Sequence, residues 1–300
     1  MYTKKSFSFK LLINTYGLQL AWYGPYLIIV FYTYRYLGFE NLDIKMSIAT
    51  VLGFAVALLL GFRTSASYDR WWEARKIWGG IINDSRTLTR QAIGFTTHKG
   101  EFADEVKQMV SYQIALVLSL KNSLRNLDQL KETKPFLSKD EVKYLESKNN
   151  KPNEILKLLI TLISKLKVSG KIDSYQQVSL DKTVNDLCDQ IGKAERIKNT
   201  VFPTHYKSYT HIGLMIYTVM LPFGMLYSSG PFVILICLLV SFFFNMLESI
   251  AAFLQDPFMN RESDIPMSSI CRTIEINLKE LVGDSDIPEP ISPDKNGVLM

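Results

Sequence analysis

The chain of 300 residues has little of what most enzymatic and metal chemistry requires. Its three cysteines, Cys188, Cys237 and Cys271, lie far apart with no CxxC spacing, which excludes a disulfide framework and a thiolate zinc site. Histidine is as scarce. His205 and His211 stand six residues apart, off a common helix face, and no HExxH is present. No GxSxG, Walker motif or glycine-rich phosphate loop occurs, so no catalytic residue is assigned and no cofactor is expected. Strand-like alternation of apolar and polar residues is also missing, which leaves an all-α reading.

Charge is missing in blocks. Leu11 to Tyr34, Met46 to Phe62 and the 40 residues from Ser208 to Leu247 carry none. Runs of this length are rare in soluble chains and imply an integral membrane protein with a substantial polar remainder. The first block is too long and too aromatic for a cleaved signal peptide, and no small-residue cleavage pattern follows it. The net charge of +5 is modest and fits membrane topology rather than nucleic acid, so no nucleic-acid partner is expected.

The central stretch runs from Lys45 to Gln91. Its apolar half passes without proline into an Arg- and Trp-rich half that still reads as helix, a rod of roughly 70 Å. Such a rod outreaches a bilayer core, about 30 Å thick, and joins a membrane part to a cytoplasmic part. Within the apolar half Phe54, Leu58 and Phe62 recur every four residues and form one slowly drifting stripe. Spacing alone reads as packing against a neighbouring helix.

Spans are expected at about 12–37, 46–62, 208–227 and 232–252, the last two forming a hairpin around Ser228-Ser229-Gly230-Pro231. Lys4, Lys5 and Lys10 before the first span, and Arg63 to Arg90 after the second, place both termini in the cytoplasm. Segments 63–207 and 253–300 form the cytoplasmic portion. It contains helices over Gln108–Leu120, Ile155–Leu166, Tyr175–Asn199 and the stretch IPMSSICRTIEINLKEL, a loop over Ser147–Asn153, and a tail from Gly283 that is either disordered or laid along another surface. Asp69, Glu73 and Asp84 share a helical face, but the interleaved Arg70, Arg75 and Arg86 make local ion pairs the better reading than a carboxylate site. Asp256, Glu262 and Asp264 are weak calcium candidates. They lack the alternate oxygen ligands and closing Glu of an EF-hand, so a solvated acidic turn is preferred and no metal is assigned.

GFRTSASYDRWWEARKIWGGIINDSRTLTRQ at Gly61 to Gln91 resembles the signature of the bestrophin family in its bacterial form. ERIKNTVFP at Glu195 to Pro203, DPF at Asp256 to Phe258 and ICRTIEINL at Ile270 to Leu278 resemble further blocks in the family's order, and the likeness is weakest over 101–166. It implies one bestrophin-like unit over 1–300 with four transmembrane helices and a helical cytoplasmic portion. Five copies would surround a central pore in the inner (plasma) membrane, with lipid and permeating monovalent ions as partners. By resemblance the pore neck is Phe54, Leu58 and Phe62, which replaces the packing reading of the stripe. A second, cytoplasmic constriction falls at Ile172, with Tyr175 and Val178 within alignment error. The bacterial branch suggests cation conduction, with chloride the alternative and a non-conducting membrane-anchored interaction module a further one. Micromolar calcium is expected to do little, because MNRESDIP after Phe258 lacks the run of acids the family's calcium clasp uses.

Overall fold

The structure, a computed structural model, describes residues 9–37, 45–97, 101–200, 202–230, 232–295 and 297–300. Residues 1–8 of the lysine-bearing start, residues 38–44 between the first two expected spans and Pro231 of the hairpin turn lie outside the described residues. Among the described residues the chain is helical, without a strand. In order these are α1 (Phe9–Tyr36), α2 (Met46–Thr96), α3 (Asp104–Leu124), a 3-10 turn (Lys134–Phe136), α4 (Lys139–Glu146), α5 (Lys151–Val168), α6 (Ser174–Asn199), α7 (Thr204–Ser229), α8 (Phe232–Gln255) and α9 (Met267–Leu281). They fall into two compact units. Among the described residues one holds Trp72–Thr200 and Asp256–Met300, and the other holds the rest. α2 contributes its first half to one unit and its second half to the other.

In the first unit α3 is buried on nearly every side, with α5, α6 and α9 packed on it. Trp78, Ile81 and Leu88 of α2, Leu116 and Leu120 of α3, Leu159 and Ile163 of α5, and Ile274 and Leu278 of α9 share one apolar core. Local chemistry fixes the ends of these helices. Ser138 with Glu141 and Asp173 with Gln176 form capping boxes for α4 and α6, each cap contributing about 1 kcal/mol. α3, α5 and α9 close in Schellman turns on Asn126, Gly170 and Gly283, all at positive φ. In each, the next amide reaches back to the carbonyl of Asn122, Leu166 or Lys279.

Two expectations change here. The loop over Ser147–Asn153 ends early, because Asn150 caps α5 by accepting from the Asn153 amide while Pro152 occupies its first turn. α4 was not anticipated, since only Leu145 of its eight residues is buried and its apolar signal is slight. The tail takes the second of its two expected forms and lies along α9. Lys279 Nζ donates to the Asp286 carbonyl at 2.8 Å, Arg272 Nη1 to that of Glu289 at 2.9 Å, and the Ser269 amide to that of Met300 at 3.1 Å.

The second unit is built on small residues and a proline. Ala49, Gly53 and Val56 of α2 meet Gly224, Tyr217 and Gly213 of α7; a Cβ on Gly53 would stand 2.9 Å from the Tyr217 ring and force that ring to shift. Pro222 inside α7 has no amide to give the carbonyl four residues back. That carbonyl belongs to Thr218, and Tyr23 Oη of α1 donates to it at 2.8 Å. Tyr26 Oη donates to the adjacent Val219 carbonyl at 2.7 Å. A cross-helix tyrosine thus replaces the backbone bond that proline removes, as irregular backbone at membrane depth requires. Three helices are long and apolar enough to cross a membrane among the described residues: Met46–Thr96, Thr204–Leu226 and Phe232–Gln255.

Candidate functional site

The stripe on α2 is half exposed or more. Phe54, Leu58 and Phe62 are 72%, 49% and 62% exposed, whereas Val56, Leu60, Arg63 and Ser67 are buried. At 100° per residue the centres of these two sets lie about 170° apart, so the helix packs one face and presents the other. Among the described residues no helix of this chain fully covers the stripe. Of the residues flanking it, Ala55 and Leu59 are exposed and Leu60 is buried.

Directly after Phe62, three side chains from three helices converge. Arg63 Nη1 of α2 lies 3.3 Å from Glu248 Oε1 of α8. The same carboxylate lies 2.9 and 3.2 Å from His211 Nδ1 of α7. One turn earlier on α2, Tyr206 Oη of α7 donates to the Leu59 carbonyl at 3.0 Å. The part of α2 that carries the stripe is therefore pinned from behind by polar contacts as well as by packing. The runs are charge-free, but their ends meet. The signal was present in the sequence: His211 and Glu248 lie 19 and 18 residues on either side of Gly230, so a hairpin turning there brings them to one level.

The other expected residues are scattered. Ile172 does not fit a constriction, because it is 4% exposed and packed in the first unit's core, while Tyr175 is 89% and Val178 67% exposed at the start of α6. The Schellman turn at Gly170 and the cap at Asp173 enclose Ile172 between two helix ends, which folds its side chain inward. Of the intrahelical pairs expected on α2, Glu73 pairs with Lys76 at 2.8 Å rather than with an arginine. Arg86 turns to α9 instead, where Nε donates to Asn277 Oδ1 at 2.8 Å. Burial, and after it the nearby Asp186, push the Asp84 carboxyl up from its ordinary range.

The calcium candidates do not converge. Asp264 is buried and its Oδ2 accepts the Arg261 amide at 3.0 Å, an internal turn bond; burial pushes its carboxyl up despite that bond. Among the described residues no group of three or more His, Cys, Asp or Glu side chains is placed to hold a metal ion.

Residues 20–280 match the family model described as Bacterial/Fungal Bestrophin protein. A curated relative, the voltage-dependent anion channel-forming protein YneE of Escherichia coli K12, is 30% identical over 262 residues, 86% of this chain and 84% of that one. The voltage-dependent anion channel-forming protein alr2987 of Nostoc is 33% identical over 228 residues, 75% of this chain and 74% of the other. Among solved structures, a bacterial bestrophin homolog from Klebsiella pneumoniae matches with a TM-score of 0.85 at 28% identity, covering 89% of this chain and 98% of that one.

Proposed function

The chain belongs to the bacterial and fungal bestrophin family, and on that premise we propose that it forms a multi-pass ion channel of the plasma membrane, a homopentamer whose α2 helices line a central pore. The observation that carries this reading is the exposed stripe of Phe54, Leu58 and Phe62 on the face of α2 turned away from its own subunit. Repeated around an axis, it makes successive apolar rings. These offer no hydrogen bonds to an ion's hydration shell, so a narrow ring gates by dewetting and a slightly wider one conducts. α1, α7 and α8 complete four spans, with both termini cytoplasmic.

The cation preference expected by resemblance gives way to small monovalent anions, because the curated relatives are named as anion channel-forming proteins. Phenyl rings support this sign where they turn their positive edges to the axis. The second constriction moves from Ile172 to Tyr175 and Val178, whose side chains are free to line a path. The test is ion flux through purified protein in liposomes under a salt gradient. A reversal potential near that of chloride is expected. One near that of the cation restores the earlier preference, and no current from an intact oligomer overturns the channel reading.

A further inference from the structure

Behind the stripe lies a charge balance for which the rings themselves have no use. Arg63 is bonded next to Phe62 along the chain, and its side chain is 1% exposed, so its charge is held in place by the protein rather than by water. Glu248, 14% exposed, has Arg63 and His211 as its hydrogen-bond partners among the described residues. His211 is 52% exposed and sits inside an otherwise charge-free run. The arginine charge of +1 and the carboxylate charge of −1 cancel while the imidazole is neutral, and a proton on His211 leaves one positive charge per subunit.

Resting on the channel reading above, we propose that Arg63, Glu248 and His211 set which sign of ion the neck admits and tie that choice to pH. The rings at Phe54, Leu58 and Phe62 carry no formal charge, so the field inside them is imposed by fixed charges nearby. A water-poor constriction screens such charges weakly. Histidine is the side chain whose charge ordinarily changes between pH 5 and 8. Acidification therefore adds positive charge beside the neck and favours anions; neutral or alkaline pH removes that bias. Along α2 and α7 of this unit, the charged or histidine side chains that follow or precede the cluster most nearly in sequence are Asp69 and Arg70, and His205 and Lys207. None of these four bonds to the Glu248 carboxylate, which leaves Arg63 and His211 as its partners.

The experiment is the chloride-to-potassium permeability ratio of full-length protein in liposomes, read from reversal potentials at pH 5.5 and pH 8. Wild type is expected to shift towards chloride at the acid end by about twofold or more, as focused fields change local ion concentration. His211→Gln, which keeps a polar side chain at the carboxylate and cannot charge, should abolish that shift. Glu248→Gln, which uncovers Arg63, should hold the ratio towards chloride at both pH values. The histidine is half exposed, so His211→Gln remains informative if Glu248→Gln fails to assemble. A merely structural cluster would alter oligomer yield and leave the ratio unmoved. Unchanged ratios across pH in a conducting wild type overturn the proposal alone. No current from wild type at either pH overturns the channel reading and this proposal with it.

Discussion

The two halves of α2 solve opposite problems with one continuous helix. From Trp78 to Leu88 its large apolar side chains are buried in a core that α3, α5 and α9 complete. From Phe54 to Phe62 the phenyl side chains are exposed, and beside the buried Leu60 the contact with α7 runs through the small residues Ala49, Gly53 and Val56. In water, large side chains drive packing by removing apolar area from solvent. Against lipid that driving force is absent, and close backbone approach takes its place. Burial thus reports a different quantity in each half. An exposed Phe in the second half would be a defect, while in the first half it marks a surface meant for lipid, another subunit or an ion path.

The sharpest break of this comparison is Trp78→Ala. It opens a cavity in the water-facing type of core and should cost about 3–5 kcal/mol, seen as a large fall in thermal midpoint in detergent. Gly53→Ala attacks the other kind of packing. The added methyl meets the Tyr217 ring at 2.9 Å, with an expected cost of about 1–3 kcal/mol and loss of oligomer on size exclusion. Tyr23→Phe removes one hydroxyl and leaves the Thr218 carbonyl unpaired below Pro222, costing about 1–2 kcal/mol in the same melt. Leu58→Ala should have the smallest effect on stability, because the side chain is already half exposed, and should raise conductance or open probability. If the stripe instead packs between helices, Leu58→Ala will destabilise by about 2–5 kcal/mol and leave single-channel current unchanged. Recording currents beside a size-exclusion profile decides between the two.

Much of the helical frame was legible because both halves of the chain advertise it, through charge-free runs in one and apolar periodicity in the other. The expected helices over Gln108–Leu120, Ile155–Leu166 and Tyr175–Asn199 all lie within α3, α5 and α6. The placing of Phe54, Leu58 and Phe62 on one face was legible too, since a period of four on a helix leaves little choice. Ile172 was not, because its burial depends on a Schellman turn two residues before it and a cap one residue after. The cluster of Arg63, Glu248 and His211 was missed for a different reason. Each of the three looked like the edge of a span when taken alone, and only the depth symmetry of the α7–α8 hairpin brings them together. The capping box at Ser138 was readable as SKDE, yet α4 buries so little that apolar pattern gave no reason to look.

The bonds from Tyr23 and Tyr26 to the Thr218 and Val219 carbonyls carry a consequence for how the chain is made. α7 emerges from the ribosome long after α1, with about 195 residues synthesised between donor and acceptor. Entering the membrane alone, α7 would expose the Thr218 carbonyl that Pro222 has orphaned to hydrocarbon. On the four-span reading proposed above, α1 is already inserted and its two phenols await the carbonyls. Order of synthesis then becomes part of the assembly route: the helix broken at Pro222 is finished on arrival by its predecessor. A circular permutant that delivers α7 before α1 should insert less efficiently than the natural order, although both chains hold the same bonds once folded.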